Sequence, residues 1–309
     1  MRCVVTGGCG FIGGNVVSAL RTAGHKVIVL DRVNGADRQV DICNTQDLQQ
    51  ILAECHPQVV FHIAAIADAR EALADPVRAV KVNIGGTTSV FEAARQAKAE
   101  RVILASTCWV AAAMGPGAID ETQPFLPTGG GHIYTTTKIA SELIAHDFHE
   151  LYGLPFTILR YGIPYGPSMW SGLVLRAFLD RAANGEPLTI FGDGSASRRF
   201  LYVRDLAQAH VLALQEIAIN QTYNLEGMRV VTIKELAEKT AGLLGNVDVV
   251  YQEVPATRVG EFQYFRQIIS NAKAYVDLGW EPKTDLEAGI RETITWYHQH
   301  IAPLPGCPS

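Results

Sequence analysis

The stretch Thr6–Gly13, T-G-G-C-G-F-I-G, directly follows a short apolar run and precedes a longer amphipathic one. Its glycines Gly7, Gly10 and Gly13 form the pattern G-x-x-G-x-x-G between a predicted strand and a predicted helix. Glycine permits a tight turn and lets backbone N–H groups approach a pyrophosphate, whose charge is stabilised at a helix N-terminus. The stretch therefore favours a dinucleotide-binding turn, although glycines that serve only a strand–helix turn would give the same pattern.

The second predicted strand ends at Asp31, where a carboxylate can accept hydrogen bonds from an adenine ribose. A carboxylate at this position would repel a 2′-phosphate, so we expect NAD as the cofactor rather than NADP. The neighbouring Arg32 leaves NADP open, because a guanidinium beside the ribose would accommodate that phosphate. We also predict that Asp41 and Ile42 close the next short strand and flank the adenine, with a plain surface aspartate at residue 41 as the alternative.

Short apolar runs alternate with longer amphipathic runs over the first half of the chain. The apolar runs predict buried strands at Cys3–Val5, Lys26–Leu30, Val59–Ile63, Arg101–Ala105 and Phe156–Leu159. The amphipathic runs predict helices at Phe11–Ala23, Thr45–Cys55, Pro76–Ala97 and Tyr134–Leu151. This alternation predicts an α/β fold of the Rossmann type, a doubly wound parallel sheet covered by helices on both sides.

The pattern of the sequence changes after Arg160. From there on, Gly- and Pro-rich turns separate shorter stretches that are predicted to be helical. We therefore expect residues 1–160 to form an NAD-binding Rossmann domain. Residues 161–309 are expected to form mainly a smaller α/β lobe that binds the substrate, with some segments returning to the first domain.

The chain has 309 residues, of which 48% are hydrophobic, and a formal net charge of -5. This mild acidity gives no reason to expect nucleic acid or an anionic membrane as a partner, and no apolar run is long enough to cross a bilayer. The start of the chain lacks the layout of a signal peptide. The histidines and cysteines show no metal-ligand spacing, so we expect no metal site. The six cysteines are interpreted as free thiols in a reducing cytoplasm: Cys3, Cys9, Cys43, Cys55, Cys108 and Cys307.

Tyr134 and Lys138 are four residues apart on a predicted helix, so their side chains emerge on one face. An ammonium held beside a phenol favours the phenolate and lowers the tyrosine pKa from its usual value near ~10. A tyrosine tuned in this way can accept and return a proton at neutral pH. Y-x-x-x-K also occurs by chance on solvated helices, but together with the dinucleotide turn it indicates an enzyme that moves hydride to and from a nicotinamide ring.

Further motifs follow the glycine turn along the chain. They are H-I-A-A (His62–Ala65), V-N (Val82-Asn83), S-T (Ser106-Thr107), Y-T-T-T-K (Tyr134–Lys138), L-R-Y…Y-G-P (Leu159–Pro167), G-D-G-S…R-R-F-L-Y-V-R-D (Gly192–Asp205), R-V-G-E (Arg258–Glu261) and L-G-W-E-P-K (Leu278–Lys283). With these motifs the sequence resembles the extended short-chain dehydrogenase/reductases, specifically the NAD-dependent nucleotide-sugar epimerase/dehydratase group typified by UDP-galactose 4-epimerase. The resemblance covers essentially the whole chain in the family's order.

The resemblance implies roles for the matching residues. Tyr134 would be the catalytic acid–base, Lys138 would support it and bind the nicotinamide ribose, and Thr107 would hydrogen-bond the substrate oxygen. The implied cofactor-binding residues are Gly7, Gly10, Phe11, Ile12, Gly13, Asp31, Arg32, Asp41, Ile42, Ala64, Ala65, Asn83, Ser106, Tyr134, Lys138 and Tyr161. The implied substrate-binding residues are Thr107, Cys108, Trp109, Tyr134, Ile163, Thr189, Phe191, Arg198, Arg258 and Glu261. Arg198 and Arg258 would bind the nucleotide diphosphate, because guanidinium groups bind phosphate oxygens in a fork. His62 is predicted to pack in its strand rather than to catalyse.

The chain departs from the family's pattern at positions that touch the sugar. Dehydratases of this group carry Asp-Glu directly after the catalytic Thr, where this chain has Cys108 and Trp109. Neither side chain can move the protons that removal of a hydroxyl requires, so dehydration is disfavoured. The glutamate that UDP-glucuronate decarboxylases carry just after this Thr is also missing. Ile163 replaces the asparagine that typically touches the substrate, which indicates a sugar or a pose different from that of galactose epimerase.

We therefore predict an NAD-dependent nucleotide-sugar 4-epimerase that acts on a UDP-hexose or UDP-hexuronic acid through a transient 4-keto intermediate. One alternative is an NAD(P)-dependent reductase of nucleotide 4-ketosugars that uses the same residues, and another is a non-catalytic nucleotide-binding sensor. Because family members commonly dimerise through two helices per subunit, we expect a homodimer formed through Pro76–Ala97 and Tyr134–Leu151.

Overall fold

The computed structural model describes residues 1–111, 118–126, 132–245, 247–255 and 268–307, which divide between two compact units. The first unit comprises Met1–Gly162, Leu206–Leu225 and Ile269–Glu281. The second comprises Ile163–Asp205, Glu226–Ile268 and Pro282–Ser309. The assignment of one part of the chain to the cofactor and the other to the substrate stays a prediction.

The strands are numbered in chain order. They are β1 (Arg2–Thr6), β2 (Lys26–Asp31), β3 (Arg38–Gln39), β4 (Val59–His62), β5 (Arg101–Thr107), β6 (Phe156–Tyr161), β7 (Ile163–Tyr165), β8 (Leu188–Phe191), β9 (Ser197–Arg198), β10 (Phe200–Tyr202), β11 (Gln221–Leu225), β12 (Val231–Thr232) and β13 (Val249–Gln252).

The helices are numbered in the same way. They are α1 (Phe11–Thr22), α2 (Thr45–Cys55), α3 (Ala69–Ala74), α4 (Pro76–Val80), α5 (Gly86–Gln96), α6 (Ile133–Tyr152), α7 (Val174–Ala183), α8 (Val203–Leu212), α9 (Ile233–Leu243), α10 (Ala272–Leu278) and α11 (Leu286–His300). A π-helix (Lys81–Gly85) joins α4 to α5, and short 3₁₀ turns cover Cys108–Val110 and Glu216–Ala218. Among the described residues, no helix combines the length and apolar character needed to cross a membrane.

A seven-stranded parallel sheet in the order β11-β6-β5-β4-β1-β2-β3 forms the centre of the first unit. Every residue of β4, β5 and β6 is buried, because side chains of a sheet covered on both faces alternate between two apolar layers. Val4, Val60 and Leu104 lie in one of these layers with residues of α2, α5 and α6. This sheet confirms the predicted Rossmann-like α/β fold.

The structure differs from the sequence-based expectation at the end of the third strand and within one predicted helix. The third strand ends at Gln39, and Asp41 and Ile42 lie beyond it, so the prediction that they close this strand is wrong. The reason is local, since the Asp41 carboxylate accepts the amide hydrogen of Cys43 at 2.8 Å and turns the chain before α2. The stretch predicted as one helix over Pro76–Ala97 contains the π-helix in its middle.

The second unit contains small two-stranded sheets rather than one large sheet. β8 pairs with β13 in parallel, β7 pairs with β10 in parallel, and β9 pairs with β12 in antiparallel fashion. Helices α7 and α9 pack against each other and against β8. Among the described residues, β8 has a pairing partner on one side, which is β13.

Candidate active site

The glycine turn between β1 and α1 is shaped so that only glycine fits at two of its positions. Gly7 has φ +71°, and a Cβ on it would lie 2.7 Å from the backbone nitrogen of Ala64. A Cβ on Gly13 would lie 2.0 Å from the carbonyl oxygen of Gly7. The turn therefore brings the start of α1, the end of β1 and the loop after β4 into direct backbone contact.

The first turn of α1 suits the pyrophosphate of a dinucleotide. Gly10 is the N-cap residue and makes no side-chain cap, and the first turn contains no acidic residue. The amide groups at this end are thus surrounded by glycine backbone, which an anion can approach closely. Phe11 is buried and Ile12 is half-buried, so these two residues anchor the helix start while the glycines leave room. The observed cradle fits the diphosphate of NAD.

Asp31 is the last residue of β2 and lies beside the glycine turn. Its carboxylate accepts the amide hydrogens of Cys9 at 3.0 Å and of Arg32 at 2.7 Å. Each carboxylate oxygen has two lone pairs, so both oxygens can still accept ribose hydroxyls. The backbone carbonyl of Arg32 is held by the Gln39 side chain at 2.9 Å, while the Arg32 residue itself is exposed. The geometry fits the role predicted for Asp31, and that role stays a prediction.

Ile42 is buried and packs tightly on α5. A Cβ on Gly86 would lie 2.6 Å from the Cδ1 atom of Ile42, so the helix presents a glycine where the isoleucine needs space. Asp41 remains exposed beside it. The contact of these two residues with adenine stays a prediction.

Asn83, in the π-helix, holds the loop that follows β4. Its side-chain oxygen accepts the amide hydrogen of Ile66 at 2.8 Å, and its nitrogen donates to the Ile66 carbonyl at 3.0 Å and to the Thr137 hydroxyl at 3.0 Å. At the other end of the loop, the Ala64 amide donates to the Thr6 carbonyl at 3.1 Å, with Ala65 between these two fixed points. The loop that is predicted to line the pyrophosphate is therefore clamped to both β1 and α6.

His62 acts as a buried structural link. Its two ring nitrogens lie 2.9 Å from the Thr6 hydroxyl and 3.0 Å from the Thr87 hydroxyl. Burial, with a smaller contribution from the charge of Lys138, lowers the pKa of His62 to about 3, so the ring is neutral. Both nitrogens are thus engaged within the protein, as expected of a packed residue.

Thr107, Tyr134 and Lys138 converge at the carboxyl end of β5. Thr107 is the last residue of that strand, and Tyr134 and Lys138 lie one turn apart at the start of α6. The Thr107 hydroxyl is hydrogen-bonded to the Tyr134 phenol and accepts the amide hydrogen of Trp109 at 3.3 Å. The Lys138 ammonium donates to the carbonyl of Ala105 at 2.8 Å. The structure therefore brings the three predicted catalytic residues together.

The electrostatics of this trio differ from the expectation. Burial raises the pKa of Tyr134 above its usual value, and the hydrogen bond from Thr107 offsets only part of this effect. Burial also lowers the pKa of Lys138 to about 8. The prediction that Lys138 lowers the pKa of Tyr134 is wrong for the protein by itself, because loss of water around the phenol dominates and the ammonium is bonded to Ala105.

Behind Lys138 lies a buried ionic cluster that the sequence analysis missed. The Glu142 carboxylate accepts hydrogen bonds from the Arg160 guanidinium at 3.0 and 2.8 Å, and also from the Ser106 hydroxyl. The charge of Glu142 favours the ammonium of Lys138, against the larger effect of burial. The signal for this residue was its spacing, since Glu142 follows Lys138 by one helical turn on the face shared with Tyr134. The hydroxyl proton of Ser106 is committed to this cluster, and a cofactor contact of Ser106 stays a prediction.

Tyr161 was predicted to contact the cofactor, and its hydroxyl is engaged inside the protein. It lies 2.6 Å from the Nε2 atom of His210, which the sequence analysis did not select. His210 lies on α8, and no short motif links it to the residues of β5 and α6. Tyr161 is the register partner of Thr107 across β5 and β6, which places it next to the catalytic trio.

The predicted substrate residues of the first unit lie directly after Thr107. Cys108 is buried, and its thiol donates to the Arg160 carbonyl at 3.2 Å. The Trp109 ring lies edge-on to Tyr134, with ring centroids 6.4 Å apart, and 6.0 Å from the ring of His132. Trp109 is thus placed to shape the space in front of the phenol.

The remaining predicted substrate residues belong to other parts of the chain. In the second unit, Ile163 begins β7 and Arg198 ends β9, where its guanidinium donates to the Ser197 carbonyl at 2.8 Å. Thr189 and Phe191 lie on β8, and the buried Thr189 hydroxyl has no hydrogen-bond partner within the described ranges. Arg258 and Glu261 lie outside the described residues. The substrate roles of all these residues stay predictions.

Comparison with known proteins places this arrangement in a family. The family model described as the NAD dependent epimerase/dehydratase family matches residues 3–225. A UDP-glucuronate 4-epimerase of Thermodesulfobacterium geofontis is 28% identical, with 96% of each chain covered. A dTDP-glucose 4,6-dehydratase of Neisseria meningitidis is 30% identical, with 96% of this chain and 93% of that protein covered. Among solved structures, the UDP-glucose 4-epimerase of Thermus thermophilus in complex with NAD matches with a TM-score of 0.86 and 30% identity over 97% of this chain and 100% of that one.

The matches to the two relatives and to the solved structure span almost the full length of both partners. They confirm the predicted enzyme class and the predicted cofactor, NAD. The chain belongs to the NAD-dependent epimerase/dehydratase family of extended short-chain dehydrogenase/reductases.

Proposed function

We propose that this enzyme is a nucleotide-sugar 4-epimerase that acts on a UDP-hexose or UDP-hexuronic acid through a transient 4-keto intermediate. The observation that carries the proposal is the trio of Thr107, Tyr134 and Lys138, followed by Cys108 and Trp109 instead of carboxylates. Relatives include both 4-epimerases and a 4,6-dehydratase. The trio supports oxidation and reduction at C4, and the two residues after Thr107 provide no acid–base pair for loss of water.

Each residue of the trio has a defined task in this proposal. Tyr134 takes the proton of the C4 hydroxyl and later returns it, and the Thr107 hydroxyl holds the same sugar oxygen. Bound NAD supplies the hydride acceptor and donor for C4, and in its oxidised form it carries a positive ring that favours the phenolate. Lys138 binds the nicotinamide ribose through hydrogens of its ammonium that Ala105 does not occupy. Because the sugar is reduced again on its opposite face, the cycle has no net redox change.

The raised pKa of Tyr134 makes reduction of a nucleotide 4-ketosugar the second candidate. A phenol that stays protonated in the free protein is ready to donate a proton to a ketone. A reductase would consume one equivalent of reduced nicotinamide cofactor per turnover, whereas an epimerase regenerates its cofactor within each cycle. The two functions can therefore be distinguished by measuring whether reduced cofactor is consumed during turnover.

The decisive experiment incubates the purified enzyme with a panel of UDP-, dTDP- and GDP-sugars without added reductant. NMR of the product then determines the configuration at C4. We expect inversion at C4 of one UDP-sugar with no net change in NADH absorbance, and no inversion by Tyr134→Phe. In a parallel incubation with a nucleotide 4-ketosugar and added NADPH, stoichiometric loss of NADPH, together with no inversion of any sugar in the panel, would establish the reductase instead.

A homodimer in the cytoplasm completes the proposal. Leu73 on α3 and Val77 on α4 are exposed apolar residues, as are Leu143 and Leu151 on α6, and α6 contacts both short helices. This exposed apolar surface is the kind that oligomers bury. We expect sedimentation to show a dimer that Val77→Lys weakens, whereas Val276→Lys, at an equally exposed valine on α10, leaves it intact. All six cysteines are free thiols, which fits a reducing compartment, and fractionation of cells tests the location.

A further inference from the structure

We propose that His210 is a positioning residue of this active site. By accepting the hydroxyl hydrogen of Tyr161, it prevents Tyr161 from donating a hydrogen bond to the Tyr134 phenol. Tyr161 then offers only lone pairs to Tyr134. The inference deepens the proposed function, since it rests on the acid–base role of Tyr134.

The direction of the hydrogen bond follows from the partners of His210. Its Nδ1 atom lies 2.9 Å from the carbonyl oxygen of Leu206, which can only accept, so Nδ1 carries a hydrogen. Burial lowers the pKa of His210 to about 4, so the ring is neutral near pH 7 and has a single N–H. The Nε2 atom therefore carries a lone pair. The 2.6 Å contact between Nε2 and Tyr161 must then be donated by the tyrosine hydroxyl.

The direction of the hydrogen bond between Tyr161 and His210 is important because Tyr161 lies next to the catalytic trio. Tyr161 on β6 faces Thr107 on β5 as its register partner, so both side chains emerge on the same face of the sheet. The Thr107 oxygen already accepts the Trp109 amide hydrogen at 3.3 Å and is left to donate its own hydrogen to Tyr134. Burial raises the pKa of Tyr161, and charge on Tyr134 raises it further, as expected of two phenols within electrostatic reach. Within the described ranges, Tyr134 therefore receives one hydrogen bond, from Thr107, while the hydrogen of Tyr161 is held by His210.

The other described groups around the two phenols make the following contacts. On α6, the Lys138 ammonium donates to the Ala105 carbonyl, and its nitrogen lies 6.0 Å from the centroid of the Tyr134 ring. The rings of His132 and Trp109 contact each other, and Trp109 meets Tyr134 edge-on. On the far side of His210, the Phe61 ring lies at a centroid distance of 6.1 Å and has no charge.

A hydrogen bond donated to a phenolate stabilises the ionised form and lowers the pKa. His210 withholds such a bond, so it adds to the effect of burial, which favours the protonated form of Tyr134. Replacing His210 with Phe preserves a ring but removes the acceptor. The freed hydroxyl of Tyr161 would then donate to Tyr134, and the ionisation constant of Tyr134 would rise about tenfold or more.

The experiment measures ionisation at position 134 directly, in the cofactor-free protein. Difluorotyrosine incorporated at this position has a lower intrinsic pKa and reports its ionisation by ¹⁹F NMR. We expect His210→Phe to lower this pKa by about one unit or more, as one hydrogen bond to a charged group implies. His210→Gln should titrate like the parent, because its amide can donate to Leu206 and accept from Tyr161. The double variant His210→Phe/Tyr161→Phe should lose the shift.

Two outcomes overturn the proposal. One is a titration of His210→Phe equal to that of the parent, and the other is a shift that persists when Tyr161 is also replaced. If His210→Phe does not fold, Tyr161→Phe alone decides, because a rise in the pKa at position 134 would show that Tyr161 had been the donor. The titration needs no turnover, so failure of the epimerase assay and failure of this proposal are seen separately.

Discussion

Lys138 lies with its ammonium nitrogen 6.0 Å from the centroid of the Tyr134 ring, although the two residues share one face of α6. The ammonium instead donates to the Ala105 carbonyl on β5. The lysine is therefore held at a fixed point of β5, and the tyrosine is controlled mainly by burial and by the Thr107 hydroxyl. The catalytic state of the phenol depends on what enters the site.

Tyr134→Phe should abolish most of the activity and leave the fold intact. General acid–base catalysis contributes roughly 10²–10⁴-fold, so we expect a loss of that order in kcat for C4 inversion. Tyr152→Phe is the matched control, because Tyr152 lies on the same helix with its side chain largely exposed. Substantial inversion by Tyr134→Phe would mean that another group moves the proton.

Gly13→Ala should impair the cofactor cradle, and Gly14→Ala should not. A Cβ on Gly13 would lie 2.0 Å from the Gly7 carbonyl oxygen, whereas a Cβ on Gly14 would meet nothing closer than the Gly8 carbonyl oxygen at 3.6 Å. We expect Gly13→Ala to lower the free energy of unfolding by about 1–3 kcal/mol and to bind NAD more weakly. Gly14→Ala should be neutral or stabilising by about 0.5–1 kcal/mol, since it replaces a helical glycine. Chemical denaturation and calorimetry with NAD check both variants, and equal behaviour of the pair would contradict the cradle.

The depressed pKa of Lys138 predicts a distinct pH dependence of stability. In the folded protein this pKa is about 8, whereas an unfolded lysine titrates near ~10.4. Between these values the unfolded chain binds more protons, so this lysine makes stability rise with pH from about 8 to about 10. Below pH 8 the cost of burying the charge is fully present.

The measurement compares the free energy of unfolding of the parent with that of Lys138→Met across this window. As the pH rises, the free energy of unfolding of the parent should increase relative to that of Lys138→Met by an amount on the order of 2–3 kcal/mol. Effects of Cys3, Tyr134 and other groups that titrate at alkaline pH are shared by both proteins and cancel in the difference. A flat difference curve would show that the ammonium is not desolvated.

Glu142 and Arg160 form a buried ion pair. Replacing one partner should lower the free energy of unfolding strongly, and replacing both should lower it by less than the sum of the two single effects. Both side chains are almost fully buried, at 0% and 5% exposure. Glu142→Gln or Arg160→Met alone should each destabilise the protein by about 3–5 kcal/mol, because each leaves an uncompensated buried charge. The double variant should lose clearly less than the sum of the two, as denaturation curves would show. Additive losses would indicate that the two residues stabilise the protein independently.

The features set by local sequence could be predicted, and those set by burial could not. The glycine turn, the strand that ends at Asp31 and the Tyr134–Lys138 spacing follow from short-range pattern, and the structure contains them all. The pKa of Tyr134 depends on how much water the surrounding fold removes, which spacing alone does not reveal. His210 lies far from Tyr161 along the chain, and only the packing of α8 brings the two together.

The π-helix that contains Asn83 makes this part of the protein sensitive to the deletion of a single residue. A π-turn holds one more residue than an α-turn, so deleting a single residue from 81–85 would produce a regular, continuous helix. The same deletion would draw the bulged turn, and Asn83 with it, back into the regular helix. Asn83 could then no longer form hydrogen bonds to both Ile66 and Thr137. A deletion that makes the helix regular would therefore release the loop beside the glycine cradle.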